Sequence, residues 1–193
     1  MEVCEKTGTG GIGCETAQVG DCEKGRPETG IRKEKRGRGR PRHTSFVKLT
    51  IAWIGKTKNP AIESLSDEYL KRLRQFAEAE GIALKDEAAL LKLCGYDGKG
   101  ARRRLVLLDS RGKQLSSEEL AGFLREHQDR NPAPLVFAVG AADGFGDELR
   151  RKADFALSIG KMTLAHELAR VVLLEQVYRA FTILKGHPYH LGH

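Results

Sequence analysis

From Phe46 onward the chain alternates short apolar runs with amphipathic stretches, and the spacing of the apolar positions predicts the elements. Residues 46–54 alternate and are rich in β-branched and aromatic side chains, which predicts a strand. Pro60 suits the first turn of a helix expected to run to about Glu80 and to stop at Gly81. Its apolar residues Ile62, Leu65, Tyr69, Leu73 and Phe76 step by three or four and predict one buried stripe. A second strand is expected over residues 82–88, a short helix over 89–94, and a glycine- and arginine-rich loop over 95–104. The continuous apolar run 105–108 predicts a buried strand ending at Asp109. Ser116 and Glu119 are spaced as a capping box for a helix reaching about Asp129. Leu135–Val139 is the next buried strand, followed by a glycine loop, a charged helical segment and an apolar run over 155–159. A long helix is expected from about Leu164 to Lys185, stopped by Gly186. Apolar strands alternating with helices predict an α/β domain with a parallel sheet covered on both faces.

Residues 1–45 follow a different pattern. They hold nine of the 22 glycines and no aromatic residue, so burial there offers little to offset the entropy of ordering, and disorder is expected. Seven of the twelve residues from Ile31 to Arg42 are Lys or Arg, and Arg36-Gly37-Arg38-Gly39-Arg40-Pro41-Arg42 resembles an AT-hook, a cationic element suited to narrow minor grooves. Val47 opens VKLTIAWIGK, where a domain would begin. Because valine can be encoded by the alternative start codon GUG, the extension is expected either to be a basic tail or to lie upstream of the true start. The whole chain carries 33 basic and 26 acidic residues, a net +7, which favours a polyanionic partner. No apolar run approaches the ~18 residues a membrane span needs. Four scattered cysteines, three of them in the first 25 residues, do not form a disulfide framework, so the expected compartment is the cytoplasm.

Several residues bear chemistry. Gly140, Gly144 and Gly146 fit a G-x-x-x-G-x-G pattern used by some dinucleotide-binding proteins. The 47 residues that follow are too few for the rest of such a domain, so that reading is rejected. Cys94, beside an apolar run, reads as a core residue. Arg102, Arg103 and Arg104 read as a solvated edge. His187, His190 and His193 have metal-like spacing but lie in a terminal tail, and no metal site is expected. His166 precedes the last helix. The strand exits after Leu108 and Val139, and the loop before His166, are where α/β proteins place ligands.

The segment ALSIGKMTLAHELARVVLLEQVYRAFTILKGHPYH resembles the C-terminal signature of the RlmH family of SPOUT-class methyltransferases. VKLTIAWIGK at the start and LVLLDSRGK in the middle extend the resemblance over residues 47–190. The resemblance implies a SPOUT (α/β-knot) fold whose C-terminal segment is threaded into a trefoil knot, a homodimer, and S-adenosylmethionine as cofactor. It implies methylation of N3 of a pseudouridine in 23S rRNA of the large ribosomal subunit. By the same resemblance Leu108, Asp109, Gly140, Ala141, Gly160, Lys161, Met162, Thr163, Leu164 and Ala165 form the cofactor pocket. His166, Tyr189 and His190 are candidates for the proton chemistry, the tail pair acting in the partner's site, and Arg170 and Arg179 are candidates for RNA contact. The chain departs from the family at Ala141, where a glycine is usual, at Ala165, where proline normally precedes the histidine, and in a shorter stretch between Ala88 and Arg104. A reading from another class is a nucleic-acid-binding protein that acts through its basic tail on an inert scaffold.

Overall fold

The computed structural model describes residues 47–130 and 133–191, with side chains through Tyr189. The elements are β1 (Lys48–Ile54), α1 (Pro60–Leu73), β2 (Glu78–Leu84), α2 (Glu87–Leu93), β3 (Arg104–Gln114), α3 (Ser117–Arg130), β4 (Leu135–Val139), α4 (Asp147–Lys152), β5 (Phe155–Ser158), α5 (His166–Leu184) and a 3₁₀ turn at Pro188–Leu191. The expectations for residues 1–45 lie outside the described residues.

Five parallel strands form one sheet in the order β2-β1-β4-β3-β5. Period-two alternation sends Leu135, Phe137 and Val139 of β4 to one face, where α1, α3 and α5 cover them, and Val136 and Ala138 to the other. That second face is covered more thinly, by Leu90 and Cys94 of the α2 segment and by Phe145 and Leu149 at α4. Leu49, Leu105, Leu107 and Leu135 are fully buried, each contributing about 2 kcal/mol by removal from water. Among the described residues no helix is long and apolar enough to cross a membrane.

The parallel α/β architecture matches the expectation from the sequence, but the first helix–strand boundary does not. α1 ends at Leu73 and β2 already begins at Glu78, so the expected helix to Glu80 and the strand at 82–88 are displaced. Gly81 is a strand residue rather than a stop: a Cβ there would lie 2.7 Å from Leu70 Cδ1 and 3.1 Å from Trp53 Cζ3, so close packing requires the glycine. The buried ridge of α1 is Ser66, Leu70 and Leu73, and Leu65 is 45% exposed. Ser66 can be buried because its hydroxyl donates to the Ile62 carbonyl. β3 also runs further than its apolar core, through Asp109 to Gln114.

The helix signals held elsewhere. Glu119 N–H donates to Ser116 Oγ at 3.1 Å while Ser116 N–H donates to Glu119 Oε2 at 2.7 Å, closing the predicted capping box. Gly186, with φ 65°, ends α5 in a left-handed turn, His187 N–H donating to the Thr182 carbonyl and Gly186 N–H to that of Ile183.

His127 of α3 is buried where the chain enters β3 and β4. One ring nitrogen lies 2.9 Å from the Ala133 carbonyl and the other 3.3 Å from Arg104 Nη1, which fits a neutral ring that donates from Nε2 and accepts at Nδ1. Burial lowers its proton affinity below the ordinary value, outweighing the hydrogen bond to Ala133, and the Arg104 cation lowers it further. The unfolded chain therefore takes up a proton that the folded chain refuses. His127's contribution is whole above the ordinary histidine range and is lost as pH falls through it. The urea midpoint is expected to decline between about pH 7 and 5, and His127→Gln to flatten that decline. An unchanged slope in the variant removes His127 as the cause.

Candidate functional site

Register brings the strand exits level. Leu108 of β3 lies opposite Val139 of β4 on one side and Leu157 of β5 on the other, so β4 and β5 end level with the point where β3 breaks register, between Leu108 and Lys113. A crevice of about 290 Å³ opens there. Its walls are Leu108–Arg111, the glycine turn Gly140–Gly144, the segment after β5, and His166 and Ala169 at the start of α5. A larger groove of about 1170 Å³ lies beside β2 and α2, but it is lined by strand beginnings such as Lys48 and Pro134. The smaller crevice is at the strand ends where parallel sheets place ligands, and it holds the sequence-predicted residues.

Of the ten residues expected to hold a cofactor, Leu108, Asp109, Gly140, Ala141, Gly160, Met162, Thr163 and Leu164 line this crevice. Lys161 and Ala165 lie in the same loop and are exposed, but do not line it. The glycine turn is tight: Gly144 N–H donates to the Ala141 carbonyl at 3.0 Å, and a Cβ on Gly140 would lie 3.1 Å from the Gly144 backbone. Ser158 Oγ donates to the Gly160 carbonyl at 3.0 Å and fixes the start of the loop after β5. Met162 is 85% exposed at the rim.

Asp109 supplies the buried charge, with its side chain 6% exposed. Burial would raise its carboxyl, but the Arg111 N–H at 2.9 Å and the Arg150 guanidinium at 2.7 Å outweigh burial and hold it below the usual carboxylate range. Asp109 is thus an anion near neutral pH and no proton donor. β3 and β5 approach very closely beyond this point: a Cβ on Gly112 would lie 2.6 Å from the Ala156 carbonyl carbon. Tyr96, whose hydroxyl donates to the Lys152 carbonyl, and Arg102, which donates to Asp154, tie the 95–103 loop to the segment entering β5.

The candidates on α5 separate. His166, the first residue of α5, is half-buried in the crevice wall. Tyr189 follows the far end of α5 but folds back along it to Glu175, nine residues or about 14 Å along the helix from His166. There it packs edge-on against Tyr178 and donates to Glu175 Oε1 at 3.3 Å. Burial, with Tyr69 and Glu175 beside it, pushes its phenol up to about 12. The side chain of His190 lies outside the described residues. Both arginines expected to contact RNA have partners within the chain. Arg179 is held by Glu175 through Nε and Nη2 at 2.9 and 2.7 Å. Arg170 is 1% exposed, stacks 4.2 Å over Trp53 and donates to Thr57 Oγ1 at 2.9 Å. With Glu167 accepting from Lys58 N–H at 2.7 Å, it pins the β1–α1 loop onto α5. No local pattern signals Arg150, because its partner Asp109 lies 41 residues away.

A family model described as "Predicted SPOUT methyltransferase" matches residues 47–190. The ribosomal RNA large subunit methyltransferase H of Koribacter versatilis is 56% identical over 147 residues, covering 76% of this chain and 100% of that protein. The protein of the same name from Geobacter sulfurreducens is 42% identical over 152 residues, covering 75% and 99%. The crystal structure of the SpoU methyltransferase AviRb from Streptomyces viridochromogenes in complex with AdoMet aligns with a TM-score of 0.43 and 14% identity, over 68% of this chain and 57% of that one.

Two substitutions test the segments that flank the crevice. Gly112→Ala drives a methyl group into the β5 backbone and is expected to destabilise the fold by about 2 kcal/mol or more, read as a lower urea midpoint. A change below about 0.5 kcal/mol would contradict the close approach. Ala165 has φ −57°, which proline adopts without strain, so Ala165→Pro is expected to stabilise by roughly 0.5–1 kcal/mol through the unfolded chain. A lower melting temperature would refute that fit.

Proposed function

This chain belongs to the SPOUT methyltransferases and, among them, to the ribosomal RNA large subunit methyltransferase H family. From that membership we propose that it transfers the methyl group of S-adenosylmethionine to N3 of a pseudouridine in 23S rRNA of the large ribosomal subunit, in the cytoplasm. The observation that carries the proposal is the convergence on one crevice of the ends of β4 and β5 and the register break of β3 after Leu108, with a tight glycine turn on one wall and a histidine on another.

The crevice fits the donor by its chemistry. Polar main-chain groups at Leu108, Gly140, Ala141 and in the loop after Ser158 are of the kind that hold an adenosine and an amino-acid moiety. S-adenosylmethionine, when bound, supplies a methyl group on a positively charged sulfur. The chain's own work is to hold the acceptor in line and exclude water, and positioning of this kind contributes much of a displacement's acceleration. The acceptor imide nitrogen must also give up its proton. We assign that step to His166, and its position in the crevice wall supports the assignment.

Tyr189 packs against Glu175 and Tyr178, two to three turns along α5 from His166 of its own chain, so its participation requires a second copy. We therefore include the homodimer, with Tyr189 and His190 of one protomer completing the site of the other. Leu65, Leu168 and Met162, apolar and 44–85% exposed, support an apolar contact of this kind. The threaded C-terminal segment belongs to the same reading, supported by the close crossing of β3 and β5 at Gly112.

The test is transfer from labelled S-adenosylmethionine to ribosomes that lack this modification. Label is expected on a pseudouridine of 23S rRNA, and His166→Ala is expected to slow turnover about 100-fold. Absence of both transfer and donor binding, with nucleic-acid affinity that disappears on removal of residues 1–45, would replace this reading with the tail-binding one.

A further inference from the structure

Arg150 lines the crevice, yet it belongs to none of the three segments that the sequence marks as donor-binding. It stands on α4, the helix that follows the glycine turn, and its backbone N–H donates to the Gly146 carbonyl at 3.2 Å. Its guanidinium reaches back to β3. Nε donates to Asp109 Oδ2 at 2.7 Å and Nη1 to Asp147 Oδ1 at 3.2 Å, while a Cβ on Gly144 would lie 3.5 Å from Nη2. One side chain therefore ties the stretch of β3 after Leu108 to the helix that leaves the glycine turn, with its Nη2 beside Gly144.

These contacts are not ordinary surface pairing. The Asp109 side chain is 6% exposed and that of Arg150 27%, so the pair is largely shielded from solvent. The other oxygen of Asp109 accepts the Arg111 N–H, which fixes the carboxylate in the bend that follows Leu108. Gly144, with φ 80°, gives the turn a left-handed conformation and leaves room for the guanidinium. The strand register sets the two exits at one height, but beyond the last paired residues, Leu108 and Val139, no ladder holds the loops together. Arg150 bridges them where the ladder stops.

We propose that Arg150 is a positioning residue for the methyl donor: its ion pair with Asp109 fixes the spacing between the β3 exit and the glycine turn. This rests on the reading that the crevice binds S-adenosylmethionine. A preorganised gap spares the donor the ordering of two loops, so the pair acts on donor affinity and leaves the chemical step untouched.

The experiment is calorimetric binding of S-adenosylhomocysteine to the full chain, with transfer kinetics alongside. Arg150→Met is expected to weaken binding about tenfold and to raise the KM for S-adenosylmethionine by a similar factor, with kcat at saturating donor within about twofold of wild type. Asp109→Asn is expected to produce the same loss, and the double variant no more than either alone, because both break one interaction. Asp147→Asn, which removes the outer contact of Arg150 and leaves the Asp109 pair, is expected to stay within about twofold. Unchanged binding in Arg150→Met, additive losses in the double variant, or an equal loss in Asp147→Asn overturns the proposal while the donor reading stands. Failure of the wild-type chain to bind S-adenosylhomocysteine overturns the donor reading itself, and this inference with it.

Discussion

Parallel pairing of β3 with two strands that come later in the chain is the constraint on which the rest depends. β4 and β5 lie on opposite sides of β3, and Leu108 pairs with a residue of each. Side chains alternate between faces with a period of two, so a slip of one residue would turn Leu105 and Leu107 away from the α2–α4 face and break both cores. The level exits are therefore a by-product of hydrophobic burial. The crevice needs no fold of its own, because correct packing of the sheet already places Asp109, Gly140 and the segment after β5 side by side.

α5 adds a wall to that crevice, and its placement carries an energetic cost. Burying the Arg170 guanidinium costs several kcal/mol, and burial holds its proton affinity below the usual value, opposed by Glu167, Glu63 and Asp67. Stacking on Trp53 returns about 2 kcal/mol and the bond to Thr57 a further ~2. Nε and Nη2 of Arg170 and Nε1 of Trp53 are buried with no hydrogen-bond partner among the described residues. The balance makes sense as anchorage: the β1–α1 loop and the first turns of α5 are held to each other, which holds His166 at the crevice.

Much of this was legible in the residues, and the misses have identifiable causes. Strands 105–108 and 135–139 were readable because both faces are buried and the runs are continuously apolar. The cap at Ser116 and the stop at Gly186 were readable because their hydrogen bonds are local. Gly81 misled because its role is tertiary, imposed by Leu70 and Trp53, whereas local punctuation suggested a helix end. Arg170 looked like a surface cation because nothing in a helix sequence reveals that Trp53, 117 positions earlier, will cover it. The cofactor loop came from family resemblance. The crevice around it came from register, which no periodicity in the sequence encodes.

α5 begins at the crevice with His166 and hands over to the tail at Gly186. A helix transmits both distance and angle: each residue adds 1.5 Å and about 100° of rotation. Removing one residue anywhere between Glu167 and Leu184 would swing the tail by more than a quarter turn about the helix axis. The 95–103 loop changes length at small cost, because loop closure depends only weakly on length. Insertions and deletions in relatives should therefore gather in that loop and avoid α5, where length acts as a gear ratio between the two ends of the molecule.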